Sequence, residues 1–434
     1  MESIRTNIVE LRDRAGKEIM LMGWLEKKRA YKSVIFIDFR DGSGSAQLVA
    51  KAELLGKDKF SALKSLNPES CLEVTGRYNP DKNEVDMTKF RIISKSVKTI
   101  TPEINSNFQI FDSKYSDFVS KNKHLYLRNS KLRSVFRARS VFLDVMNTYL
   151  SSKNFVNFEP PMFTNITLYG ADSAFHIDYY GKTTYLNQCS AFYLEAAIPA
   201  FERVYSLTPS FRREPSNSKR HLTEYWHLKG EIAFCDLQGI INFVENMIYD
   251  VNKVVLESPL KDDPNVKFNT GIGKPPYKTL EYEQAIKKLN SNDYKIEFGK
   301  SLGNDEELFL SKLVKEPFWL RYLPRSVEPF PYRINPDDKR TTLTADLVIP
   351  GYGEVLGVAE KIFEKEELDK RMAEDFLPHS KETYEWYTEL RQFGIPPHSG
   401  FGIGVERLIR AMISLDHVKF AIPFPRLYKH AVSP

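Results

Sequence analysis

The stretch Val204–Glu231, VYSLTPSFRREPSNSKRHLTEYWHLKGE, sets two alternating apolar runs on either side of a polar loop carrying Arg212, Arg213, Glu214, Arg220 and His221. Period-two alternation on both sides of such a loop predicts a long antiparallel hairpin. The entering strand ends in Phe211-Arg212-Arg213-Glu214, and the returning strand, Glu224 to Glu231, places Tyr225 beside those charges. A polyanion with a planar base suits this chemistry, with guanidinium groups for phosphates and an aromatic face for the base. A basic hairpin tip taken alone is also an ordinary solvated feature, so residues elsewhere in the chain decide.

Downstream, Leu237–Leu256 shows one apolar face and predicts a helix. Residues 257–330 are polar with helical patches and read as a peripheral insertion. TTLTADLVIPGYGEVLG, 341–357, brackets a Pro-Gly turn with two apolar runs, a second hairpin that brings Asp346 and Glu354 together as hard oxygen ligands for Mg2+. Two hairpin acids are, by themselves, equally surface charges. HSGFGIGVERLIRAMISL, 398–415, reads as a strand followed by an amphipathic helix from about Glu406-Arg407. Its Gly400, Gly402 and Gly404 leave one strand face flat for a planar ligand. The spacing is not that of a dinucleotide-binding turn.

Upstream, Leu132–Leu150 carries a helical apolar stripe, and Asn154–Pro161 is extended up to its prolines. Residues 101–130 lose periodicity and read as a hinge. Five short β-rich runs between 18 and 98 predict a small barrel. The expected organisation is therefore 1–100 barrel, 101–130 hinge and 131–434 main domain, in an α+β protein.

With 434 residues, one core is not enough. The 62 Lys and Arg against 57 Asp and Glu leave a net charge of +5, which admits a nucleic-acid partner without requiring one. Cys71, Cys189 and Cys235 have no metal-like spacing, so a reducing, cytoplasmic setting is expected. No apolar run approaches the length of a membrane span.

Motif by motif, the chain resembles the class II aminoacyl-tRNA synthetases, and most closely the archaeal-type asparaginyl-tRNA synthetases. Phe211-Arg212-x-Glu214 with Arg220-His221-Leu222-Thr223-Glu224-Tyr225 is similar to motif 2, and Gly400-Phe401-Gly402-Ile403-Gly404-Val405-Glu406-Arg407 to motif 3. The helix and prolines before them resemble motif 1. Tyr225-Trp226-His227, Tyr384-Glu385-Trp386-Tyr387 and Pro397-His398-Ser399 favour the asparaginyl branch. The resemblance implies an oligonucleotide-binding (OB-fold) barrel whose Arg29, Phe36 and Gln47 meet an anticodon, a six- or seven-stranded antiparallel sheet flanked by helices, and a homodimer. It also implies ATP and Mg2+ as cofactors. Arg212, Glu214 and Arg407 would serve catalysis, His221 the terminal phosphates, Tyr225 and Arg407 the adenine, and Asp346 with Glu354 the metal.

The amino-acid half departs from the family. The acid, Gln and acid that hold the substrate α-ammonium correspond to Tyr169, Ala191 and Lys229, and the Arg that holds its side chain corresponds to Lys361. A hydrogen bond to a charged group contributes roughly 1.5–3 kcal/mol, so these changes point away from a free amino acid. One expectation is an asparaginyl-tRNA-synthetase paralogue that adenylates a carboxylate or amide of an amine-blocked, peptide or other Asp/Asn-like small molecule. A second is a genuine asparaginyl-tRNA synthetase charging tRNA, in which Lys229 reaches out to solvent and Asp172 or Glu195 supplies the missing charge. A third, argued against by the retained ATP residues, is a non-catalytic RNA-binding protein.

Overall fold

The computed structural model describes residues 5–98, 110–111, 116–216, 218–374 and 381–429. The chain divides into two compact units, Met1–Phe108 and Gln109–Pro434. In the first, β1 (Glu18–Ala30), β2 (Val34–Arg40), β3 (Ser45–Lys51), β4 (Cys71–Asn79) and β5 (Glu84–Ser94) close into a barrel in the order β1-β2-β3-β5-β4. Alternation fills it: Leu21, Leu25, Ile35, Ile37, Leu48, Val74 and Val85 are buried inside. Phe36, between two core isoleucines, therefore lies on the outer face. It pairs across strands with Arg29, whose guanidinium sits 5.8 Å from the ring and donates to Gln47 Oε1 at 2.8 Å.

In the second unit, helix Ser130–Ser152 starts at Asn129, whose side chain accepts from the Lys131 amide. Next come β6 (Val156–Asn157) and a small sheet of β7 (Phe163–Thr164), β8 (His176–Tyr179) and β9 (Lys182–Leu186). Helix Ala191–Phe201 leads into the hairpin, β10 (Arg203–Phe211) and β11 (Glu224–Ala233), which pairs Ser210 with Tyr225 and Ser206 with Lys229. β12 (Lys278–Glu281), β13 (Phe318–Arg321), β14 (Thr344–Ile349), β15 (Gly353–Glu360) and β16 (His398–Gly404) complete the main sheet. Its order is β12-β13-β14-β15-β16-β11-β10-β6. Helix Leu237–Glu257 lays Ile240, Ile241, Val244, Ile248 and Val251 into the core, and helix Val405–Met412 follows β16 directly.

Three expectations need correction. The sheet has eight strands among the described residues rather than six or seven, because the short end strands β6 and β12 add by parallel pairing. Residues 257–330 are not peripheral: they supply β12 and β13, whose Phe318 and Trp319 are fully buried, and helix Asn304–Val314. Polarity hid them, because each apolar run is only a few residues long. Of the expected hinge, 101–109 and 112–115 lie outside the described residues. Ser116–Lys121 and Lys123–Tyr126 are short helices of the second unit, with Tyr126 fully buried. No described helix is long and apolar enough to cross a membrane.

Candidate functional site

One face of β14, β15, β16 and β11 floors a cavity of about 420 Å³. Tyr169, Arg212, Arg220, His221, Tyr225 and Arg407 line one part of it. The Arg212 guanidinium stacks 3.9 Å from the centre of the Tyr169 ring and lies 3.7 Å from Glu214. Glu214 itself is 40 % exposed and outside the cavity lining, because the chain leaves the sheet after Phe211. Arg407 donates from Nε to the Arg220 carbonyl at 3.2 Å and pairs through Nη1 with Glu354 at 2.9 Å. Arg220 pairs with Glu307, whose carboxylate also accepts the Glu354 amide at 2.7 Å. His221 accepts from or donates to Ser218, and burial with the neighbouring Arg407 and Arg220 charges pushes its pKa down to about 4. It is therefore a neutral hydrogen-bonding group at pH 7.

At the other end, β11 presents His227, Lys229 and Glu231 on one face. Lys229 lies across β16: its Nζ is 2.7 Å from where a Cβ on Gly402 would be, and the Glu231 carboxylate is 2.2 Å from where a Cβ on Gly400 would be. This revises the flat-face reading of the glycines. At 400 and 402 the missing side chains make room for Glu231 and Lys229 before any ligand. Lys229 is only 7 % exposed, so it does not reach out to solvent. Lys361 stands 3.6 Å from Glu231 and 3.7 Å from Glu195. Glu195, fully buried, is held by Arg391 at 2.8 Å, the Tyr387 hydroxyl at 2.6 Å and His398 at 3.2 Å. Asp172 is exposed and outside the lining. Neither acid is free to replace the charge lost at Lys229. Ala191 opens its helix within an apolar cluster with Phe192 and Tyr387 and contributes no cavity wall.

Asp346, Glu354, Glu307 and Glu328 gather on the β13–β14–β15 side. Burial and the other three carboxylates raise the Asp346 pKa well above the usual carboxylate range. Burial also acts on Glu354, but Arg407, Arg220 and Arg212 outweigh it and hold the group at about 2. The donors are all hard oxygens, as Mg2+ requires, and the mutual repulsion is what a cation would relieve. Among the described residues no three side chains converge into a finished metal cage. Mg2+ here would complete its shell with phosphate oxygens and water.

Burial and Glu354 push Glu328 from its ordinary 4.5 up to about 7. A raised carboxyl favours the folded state below its ordinary value, and that contribution is lost as pH climbs from 4.5 through 7. Glu328→Gln should therefore make the ligand-free protein more stable at pH 8, by on the order of 2 kcal/mol given about 1.4 kcal/mol per pKa unit and partial exposure. The gap should close near pH 4.5, as urea denaturation across that range would read.

The profile of the family described as tRNA synthetases class II (D, K and N) matches residues 116–428, and that of the OB-fold nucleic acid binding domain matches 19–100. The chain belongs to the class II tRNA synthetases. It is an ATP-dependent ligase similar to archaeal-type asparaginyl-tRNA synthetases. The asparagine–tRNA ligase of Thermoplasma acidophilum is 33 % identical over 423 residues, 95 % of each chain, and that of Pyrococcus abyssi is likewise 33 % identical over 95 % of each. Asparaginyl-tRNA synthetase of Pyrococcus horikoshii, solved with asparaginyl-adenylate, superposes with a TM-score of 0.92 at 31 % identity over 99 % of both chains. The Entamoeba histolytica enzyme, also with asparaginyl-adenylate, gives 0.83 at 27 % identity over 96 % of both.

Within this synthetase the cavity brings together Arg212, His221, Tyr225, Asp346, Glu354, Arg407, Tyr169, Lys229 and Lys361. The sequence reading passed over Glu231, although it shares the alternating face of Tyr225, His227 and Lys229. It also passed over Glu307, Glu328 and Tyr332, which reach the cavity from segments distant in sequence.

Proposed function

We propose that the chain uses ATP to adenylate the carboxylate of an Asp- or Asn-like molecule whose amine is absent, acylated or inside a peptide bond. The observation that carries this is Lys229, a buried cation in the cavity shared with Arg212, at the position where the resemblance expects an acid for the substrate ammonium. Two like charges in a poorly solvated cavity repel strongly. The rest of the cavity suits the ATP half of the reaction. Arg212 would meet the α-phosphate and the charge that develops as the carboxylate attacks, with Glu214 beside it at the rim. Tyr225 and Arg407 offer an aromatic face and a planar guanidinium to the adenine, and His221, whose Nε2 faces the Arg407 guanidinium at 3.5 Å, would lie toward the terminal phosphates. Mg2+ held by Asp346 and Glu354 would neutralise phosphate charge when bound. Catalysis is then positioning and charge stabilisation. We place a homodimer at helix Ser130–Ser152 and the strand after it.

A second reading, a genuine asparaginyl-tRNA synthetase, is favoured by the outer face of the barrel. There Arg29 bonds Gln47 beside the Phe36 ring, an arrangement suited to stacking an unpaired base and bonding its edge. ATP–pyrophosphate exchange across free amino acids, N-acylated amino acids and short peptides separates the two. Exchange with amine-blocked acids and none with free asparagine is the expected result. Robust exchange with free asparagine, followed by charging of its tRNA, would overturn the first reading in favour of the second.

A further inference from the structure

The sheet register places four residues in one row across the cavity floor. Asp346 pairs with Gly357, Gly357 with Gly402, and Gly402 with Lys229. Directly paired residues put their side chains on the same face. Asp346 Oδ1 lies 2.7 Å from where a Cβ on Gly357 would be, and Lys229 Nζ lies 2.7 Å from where one on Gly402 would be. An acid and a lysine thus approach each other from opposite sides over a floor of two glycines. No ion pair joins them among the described residues.

Charge accounting singles out the lysine. Arg220 is paired with Glu307, Arg407 with Glu354 and Lys361 with Glu231, while Glu195 is taken up by Arg391, Tyr387 and His398. His227, next on the same face, has its pKa driven well below the usual value by burial and by the Lys229 charge, so it stays neutral and adds no second positive charge. Among the described residues Lys229 Nζ has neither an ion-pair nor a hydrogen-bond partner, though the residue is 93 % buried and lines the cavity. A buried cation without a partner is unfavourable. If only the methylenes mattered, a methionine would fill the same space.

We infer that Lys229 is a specificity-determining residue that binds a second anionic group of the substrate, so that the acid activated here is a small diacid or a carboxylate bearing a phosphonate-like group. This rests on the reading of the cavity as a carboxylate-activating site without an ammonium pocket. One end of the molecule would lie toward Arg212 and the nucleotide, and the other would complete Lys229 over Gly402. Carboxylate and phosphonate share the required chemistry.

The test uses the full chain in ATP–pyrophosphate exchange with succinate, 3-phosphonopropionate and succinamate, the last of which has one anionic end replaced by a neutral amide. At least one of the two doubly charged acids should exceed succinamate in kcat/KM by roughly ten- to a hundredfold, the range of one charge-assisted hydrogen bond. Lys229→Met should collapse that preference, the doubly charged acids losing roughly ten- to a hundredfold more in kcat/KM than succinamate does. Equal use of succinamate by the unmodified protein, or a preference that survives Lys229→Met and disappears in Lys361→Met, overturns the inference. If no acid exchanges, calorimetric binding of the same three compounds beside a non-hydrolysable ATP analogue reads the same preference, and absence of binding by both doubly charged acids overturns it too. Robust exchange with free asparagine would instead remove the underlying reading, so the two failures are distinct.

Discussion

Arg212→Ala should lower kcat for adenylate formation by roughly 10²–10³-fold, the usual consequence of removing a preorganised donor from a site where charge develops. Its side chain is 27 % exposed, stacked on Tyr169 and braced by Glu214, so it is held ready rather than recruited. Its Nε is buried without a hydrogen-bond partner, leaving a donor for the ligand. Arg212→Lys should recover little of the loss, because an ammonium reproduces neither the planar fork nor the stacking. Single-turnover pyrophosphate release reads the chemical step, and the KM for ATP reads ground-state binding. A loss confined to KM would place Arg212 in nucleotide binding alone.

The legible parts were those in which local pattern and tertiary role coincide. The 204–231 hairpin, the 341–357 hairpin and the glycine strand at 398–404 each announce themselves by alternation, and all three lie side by side in the sheet. The barrel followed from the same signal, since each of its strands has one buried face. Glu307 and Glu328 were not legible, because a carboxylate in a polar segment gives no sign that helix Asn304–Val314 and the loop after β13 turn it inward. Glu231 was readable in principle, being two residues past Lys229 on the same face. Its burial only makes sense once Lys361 and the gap above Gly400 are known. The glycines show the same limit from the other side: their spacing declared an empty face, and the register then showed which neighbouring side chains occupy it.

Glu195→Ala should destabilise the second unit by roughly 3–5 kcal/mol, the usual cost of removing one partner from a buried ion pair. The carboxylate is fully buried, and Arg391, His398 and Lys361 together outweigh the upward push of burial, keeping its pKa well below the usual range. Its removal strands Arg391, itself 8 % exposed, with only the Ile362 and Tyr387 oxygens as acceptors, and leaves Lys361 with Glu231 alone. A depressed carboxyl contributes stability above its ordinary value of 4.5 and loses it as pH falls further. The difference between unmodified protein and variant should therefore be full at pH 7 and shrink on acidification, as urea denaturation would show. Replacing Glu195 and Arg391 together by apolar residues of similar volume should cost less than the sum of the single changes, since no charge is then left uncompensated. Additive costs would mean that the pair is not what holds helix Ala191–Phe201 to the segment around Arg391. A double variant that regains stability but not exchange activity would show that the same carboxylate also fixes Lys361, and through it Glu231, beside the substrate.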